Sequence, residues 1–228
     1  MIYDFIVIGS GFGGSVASLR LAEKGYSVLL LEQGKRYEPG DFAKSNWNLP
    51  KYLWIPFLRF FGFQKLSFYS TASIMSGTGV GGGSLVYANT LYIPPDEFFI
   101  NSSWKNFGDW KKRLEPFYDK ASFMLGRVRY PKLNIEDRIL EDVSVDMNAR
   151  ETFETVHVGV NLEEKGKVSD PYFNGMGPMR SGCAECAGCM VGCRENAKNT
   201  LDRNYLWFAE KLGVKILPGE KATRIEFK

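Results

Sequence analysis

Ile6-Val7-Ile8-Gly9-Ser10-Gly11-Phe12-Gly13-Gly14 decides how this chain begins to fold. Phe5–Ile8 is a short unbroken apolar run and reads as a strand buried on both faces. Val16, Leu19 and the Ala22–Glu23 turn then keep helical spacing up to Gly25, which closes the helix. Tyr26–Leu31 follows as a second apolar strand. Strand, glycine turn, helix and strand in about thirty residues make a β-α-β unit, the opening of a parallel doubly wound α/β sheet. In the turn, Gly9 permits the tight bend, Gly11 lets backbone approach a pyrophosphate and Gly14 lets helix and strand pack closely. Free amides and the positive end of the helix favour an anion there. Glu32 ends the second strand, where a carboxylate can accept hydrogen bonds from both ribose hydroxyls; that favours FAD or NAD over NADP.

The surrounding composition narrows the reading. The 228 residues hold 29 Lys+Arg against 26 Asp+Glu, with 44% hydrophobic residues, enough to form a core and too evenly charged to argue for nucleic acid. A single histidine, His157, excludes a two-histidine site within these residues. All four cysteines fall between 183 and 193, unlike a disulfide framework. Met1-Ile2-Tyr3-Asp4 passes straight into the first strand without a leader pattern, so a cytoplasmic location is expected. The apolar stretch Leu49–Phe63 is broken by Pro50, Lys51, Pro56, Arg59 and Gly62 and cannot span a bilayer. Further on, Phe117, Ala121, Met124 and Leu125 keep a helical face after Pro116, closed by Gly126. Leu201, Tyr205, Phe208, Ala209 and Leu212 form another face, capped by Gly213. Val214–Leu217 and Ala222–Phe227 read as strands, and an end inside a strand pattern suggests a longer polypeptide.

The choice between FAD and NAD needs a second signal, and a second glycine motif bears on it. Gly77-Thr78-Gly79-Val80-Gly81-Gly82-Gly83-Ser84 runs into Leu85-Val86-Tyr87-Ala88-Asn89, and a backbone so free of side chains can lie against a ligand. These two motifs, with Leu31-Glu32, Leu114-Glu115-Pro116-Phe117-Tyr118 and Lys198-Asn199-Thr200-Leu201-Asp202, resemble the glucose-methanol-choline (GMC) oxidoreductases, nearest to their bacterial cholesterol-oxidase-like branch. The resemblance implies a partial Rossmann-like FAD-binding domain with an inserted lid and the start of a substrate domain. Its segments are 1–130 for FAD, with an aromatic lid at about 41–75, 131–180 for part of the substrate domain, and 181–228 for the cysteines, a helix and the return to FAD-domain strands. It places Phe12, Gly13 and Glu32 on the ADP half, Gly83 and Ser84 near the isoalloxazine, and backbone near Ala222 at the adenine, with Gly9, Gly11, Gly14 and Gly79 as further cofactor-binding candidates. Family members commonly carry Asn soon after the Leu-Val pair; here Tyr87 and Ala88 stand there, and Tyr87 and Asn89 become the candidate flavin contacts.

The resemblance also implies oxidation of a CH–OH group, with the catalytic His and its Asn or His partner in a C-terminal half that residues 1–228 do not match. No catalytic residue is therefore expected in this chain; His157 alternates with apolar neighbours and reads as a strand side chain. Nine aromatic side chains between Trp47 and Tyr69, with Lys51, Arg59 and Lys65, suit either a lid for a lipophilic, sterol-like alcohol, with peripheral membrane contact, or ordinary core. That substrate points to steroid metabolism. Cys183, Cys186, Cys189 and Cys193 have the spacing of an iron–sulfur ligand run, while zinc and free thiols stay open. Three functions follow: the FAD portion of a lipophilic-alcohol oxidoreductase using O2 or a redox partner, an FAD dehydrogenase of sugars or polyols passing electrons through the cysteines, or a non-catalytic fragment. The expected partners are the alcohol and the C-terminal half of the same protein.

Overall fold

A computed structural model describes residues 2–226. The chain opens with β1 (Phe5–Ile8), α1 (Phe12–Glu23) and β2 (Val28–Glu32), then forms α2 (Leu49–Tyr52), β3 (Trp54–Ile55), β4 (Phe60–Phe61), β5 (Gln64–Phe68) and β6 (Ser73–Gly77). Next come α3 (Asp96–Phe99), α4 (Trp110–Met124), β7 (Val128–Arg129), α5 (Ile135–Asp146) and β8 (His157–Val158). It finishes with β9 (Val168–Ser169), β10 (Arg180–Ser181), α6 (Tyr205–Lys211) and β11 (Lys215–Pro218). Two compact units result, one running to Asn89 and resuming at Val160, the other Thr90–Gly159. The breaks fall at other points than 130 and 180 because the backbone at Val160 and Asn161 pairs with Lys198 and Ala197, which returns the chain to the first unit.

In the first unit β1, β2 and β11 make a parallel sheet in the order β1-β2-β11, with Val7 opposite Leu30 and Leu30 opposite Ile216. The central strand alternates its burial, with Val28, Leu30 and Glu32 inside. α1 packs on α6, and Leu19 and Ala22 of the one and Leu206 and Ala209 of the other are buried. The aromatic stretch divides: Phe63 joins Tyr37, Phe42 and Leu85 in a core cluster, with Tyr52 against it, while Trp47, Phe57, Phe68 and Tyr69 are exposed around the β3–β4 and β5–β6 hairpins.

In the second unit Asp109 caps α4 by accepting from the Lys112 amide, and Asn134 with Asp137 forms a capping box on α5. β7 and β8 pair antiparallel, with Arg129 opposite His157.

Several expectations are corrected. β1 is not buried on both faces: among the described residues it has a neighbour on one side only, and Phe5, Ile6 and Ile8 are 40%, 60% and 56% exposed. The second strand begins at Val28, since Gly25 and Tyr26 hydrogen-bond back to Ala22 and Leu21 to close α1. α4 starts at Trp110, so Pro116 lies inside it, and Phe117 faces solvent while Met124 is buried. The helix expected from Leu201 is a 3-10 turn over Leu201–Arg203 and then α6, broken at Asn204 by φ −143° and ψ −94°. Residues 222–226 form no strand, and Phe227 lies outside the described residues.

Candidate functional site

The sheet and α1 fix the first glycine turn. The Gly9 amide donates to the Leu31 carbonyl at 2.8 Å, and Gly9 takes φ +90°, which turns the chain from strand to helix. A Cβ on Gly14 would lie 1.9 Å from the Gly9 carbonyl oxygen, so helix and strand pack only through glycine. At Gly11 and Gly13 a Cβ would meet nothing within 4 Å, and α1 has no side-chain cap. Its first-turn amides border open space, an arrangement that fits a pyrophosphate.

The second glycine motif lies directly on the first. Gly82 has φ +51°, and a Cβ there would come 2.7 Å from Gly11 Cα. One on Gly34 would come 2.4 Å from the Gly79 amide nitrogen. Gly83 is partly exposed, with Phe12 the nearest neighbour of its absent Cβ at 3.7 Å. Phe12 itself is 44% exposed and meets the Tyr87 ring edge-on at 6.4 Å between centroids.

Glu32, 5% exposed, ties the two motifs together. Its Oε2 accepts from the Ser10 amide (3.0 Å) and hydroxyl (2.6 Å), and its Oε1 from the amides of Gly34 (2.9 Å) and Gly79 (3.3 Å). Ser10 Oγ in turn accepts from the Gly81 amide at 3.1 Å. With four donors on its two oxygens, the carboxylate braces the two loops in this arrangement. Past β11 the chain stays beside it, the amides of Gly219 and Glu220 donating to the carbonyls of Gly34 and Glu32; Ala222 follows outside any strand.

Ser84 is buried, its hydroxyl donating to the Gly81 carbonyl (2.7 Å) and accepting from the Leu201 amide (2.9 Å). Tyr87 donates its phenol proton to the Asn199 carbonyl at 3.1 Å, and burial, followed by the Cys189 charge, raises its pKa. Asn89, with φ +63°, donates from Nδ2 to Cys189 Sγ at 3.1 Å, which takes that amide into the cysteine loop.

All four cysteines are free thiols. Cys183 accepts from the Glu185 amide, and Cys193 from those of Ala197 and Lys198. Burial raises the Cys183 pKa, against the lowering effect of the Glu185 amide, and the neighbouring thiols add to the rise. No group of three or more His, Cys, Asp or Glu side chains among the described residues is placed to hold a metal ion. The spacing that resembles an iron–sulfur run therefore folds here into a loop in which Cys183, Cys189 and Cys193 accept from amides, and the donor set as arranged does not fit a cluster. His157 belongs to the second unit and is held below its ordinary pKa by desolvation and by Arg127 and Arg129.

Sequence reasoning missed Ser10, Gly34 and Gly82, whose roles depend on contacts between distant loops. It also missed Arg180 and Lys198, 1% and 2% exposed. Its place in Lys198-Asn199-Thr200-Leu201-Asp202, a motif that carries the family resemblance, is the one signal that could have pointed to a role for Lys198.

A family model described as GMC oxidoreductase matches residues 3–228. A cholesterol oxidase of Mycobacterium tuberculosis is 48% identical over 222 residues, 95% of this chain and 38% of that protein. A cholesterol oxidase of Acinetobacter baumannii is 43% identical over 229 residues, 98% of this chain and 41% of the relative. A long-chain-alcohol oxidase of Arabidopsis thaliana is 27% identical over 229 residues, 97% of this chain and 26% of the relative. The chain thus spans about two fifths of the length of the bacterial relatives. Together with the paired glycine loops on a parallel sheet, these matches establish that the chain belongs to the GMC oxidoreductase family.

Proposed function

We propose that this chain supplies the FAD-binding portion of an oxidoreductase acting on the CH–OH group of a lipophilic, sterol-like alcohol. The observation that carries the reading is the uncapped start of α1, where Gly11 and Gly13 leave open space beside the second glycine loop. In this reading the first-turn amides of α1 hold the pyrophosphate, and Gly83, Phe12 and Tyr87 border the flavin. FAD supplies the hydride acceptor. The protein's part is to fix the two loops through Glu32 and Ser84, and to shield the reacting face from water with the aromatic hairpins. The base that takes the hydroxyl proton comes from outside these residues, since His157 is placed in a strand pair with Arg129.

The lipophilic substrate is supported by the cholesterol and long-chain-alcohol oxidases among the relatives, and by the exposure of Trp47 (89%), Phe57 (84%) and Phe68 (75%). Those rings, with Lys51, Arg59 and Lys65 in the same segment, suit contact with a lipid surface that delivers the alcohol. No helix among the described residues is long and apolar enough to cross a membrane. Electrons leave to O2 or to a redox partner, and the cysteine loop carries no step.

The test is the visible spectrum of the full-length protein, followed by anaerobic addition of a sterol, a long-chain alcohol or a sugar. Bound flavin bleached by the first or second is expected. A flavin-free protein defeats the cofactor assignment, and bleaching by the sugar alone defeats the substrate class.

A further inference from the structure

The segment 198–201 grips the second glycine loop from behind. Lys198, 2% exposed, places Nζ 2.9 Å from the Leu85 carbonyl oxygen, 3.1 Å from that of Tyr87 and 2.7 Å from that of Cys189. The same ammonium stands 5.0 Å from the centre of the Tyr87 ring. Asn199 takes the Tyr87 hydroxyl on its carbonyl, and Leu201 gives its amide to Ser84 Oγ. Buried Arg180 holds the segment in turn, donating to the Lys198 carbonyl (2.5 Å), to Asn199 Oδ1 (2.7 Å) and to the Asn196 carbonyl (3.1 Å). Three neutral carbonyls converging on one buried ammonium is a costly arrangement for a side chain that usually stays in water.

We propose that Lys198 is a positioning residue whose protonated amine clamps the arc Leu85–Tyr87 to the cysteine loop, in the shape that receives the flavin. An ammonium has three N–H donors and three acceptors are present; a neutral amine has two and must release one carbonyl. Leu85 and Tyr87 directly follow the Gly83-Ser84 pair, so a released carbonyl alters the flavin-facing backbone although Lys198 itself does not border the flavin. Burial supports a proton that comes off in an accessible range, pushing the Lys198 pKa down to about 8. The charged and titratable groups facing it are Cys189 and Cys193 from the cysteine loop, Asp202 from the following turn, Tyr87 from the arc and Arg180 from β10.

This inference rests on the FAD reading, and the experiment separates the two. The dissociation constant for FAD is measured on the full-length protein between pH 6.5 and 9.5, for the wild type and for Lys198→Met, Lys198→Arg and the Cys189→Ser/Cys193→Ser double variant. Wild-type affinity should fall at least tenfold across an inflection near pH 8. Lys198→Met should bind at least tenfold more weakly at pH 7 and lose the inflection. Lys198→Arg, which stays charged, should recover affinity at pH 9, and the double serine variant should keep the inflection. A wild type that binds no FAD overturns the cofactor reading and this inference with it. A wild type that binds FAD with a flat profile overturns the clamp alone, even where Lys198→Met fails to fold; so does a double variant that loses the inflection, or a Lys198→Met protein that behaves as wild type.

Discussion

Gly14 and Gly11 belong to one sequence motif yet answer to different constraints. At Gly14 a methyl group would meet the Gly9 carbonyl oxygen at 1.9 Å, whereas at Gly11 it would meet nothing within 4 Å. Gly14→Ala should therefore cost at least about 1–3 kcal/mol of stability through overpacking, read as a lower urea midpoint. Gly11→Ala should keep the midpoint and lose flavin, because its methyl occupies the space a pyrophosphate would use. Equal midpoints for the two variants would refute the distinction. Glu32 gives a second prediction at this scale. Glu32→Gln turns one acceptor oxygen into a donor among amides that already donate, and should destabilise the fold by about 3 kcal/mol; an unchanged midpoint would show that the brace contributes nothing. The packing role of Gly14 was legible in the strand–turn–helix spacing. The inward turn of Glu32 was not, because one of its partners, Gly79, lies 47 positions along the chain and joins it only through the fold.

At the scale of elements, local signals held where neighbours in sequence make the contacts and failed where distant ones do. β2, the core of α1 and the glycine ends at Gly126 (φ +57°) and Gly213 (φ +93°) follow from spacing and backbone freedom. Pro116 was read as a helix start, but Asp109 caps the helix earlier and the proline is carried inside an exposed stretch of α4. The aromatic run looked uniform in sequence, and only the hairpins divide it into core and exposed rings. The loop before β9 carries its own testable electrostatics. Glu163 accepts from Lys167, Ser169 and Asn161, with Lys167 the largest influence, and its carboxyl is held down to about 2. Because the folded value lies below the ordinary one, this cluster contributes fully above the usual carboxylate range and is lost as pH falls through about 2. A carboxyl-resolved NMR titration should show that low midpoint, and Lys167→Ala should raise it; a midpoint at the ordinary value in the wild type would contradict the cluster.

For the whole molecule, the parallel sheet and the two glycine loops were readable early, since the β1-α1-β2 unit is local in sequence and the glycines of the second loop are consecutive. The division at Asn89 and Gly159 was not, because it depends on the Val160–Lys198 bridge, which no local pattern encodes. The exposed side of β1 has a practical outcome. Among the described residues its backbone has no second neighbour in the sheet, and Ile6 and Ile8 present apolar surface beside that edge. Edge strands of this kind recruit other strands. Residues 1–228 produced alone should self-associate in a concentration-dependent way by sedimentation velocity, and Ile6→Lys should shift them toward monomer; a wild-type fragment monomeric at high concentration would refute this. Efforts to make this portion separately should therefore treat solubility as a property of one strand edge, to be managed by a charge at Ile6 or by supplying a complementary strand.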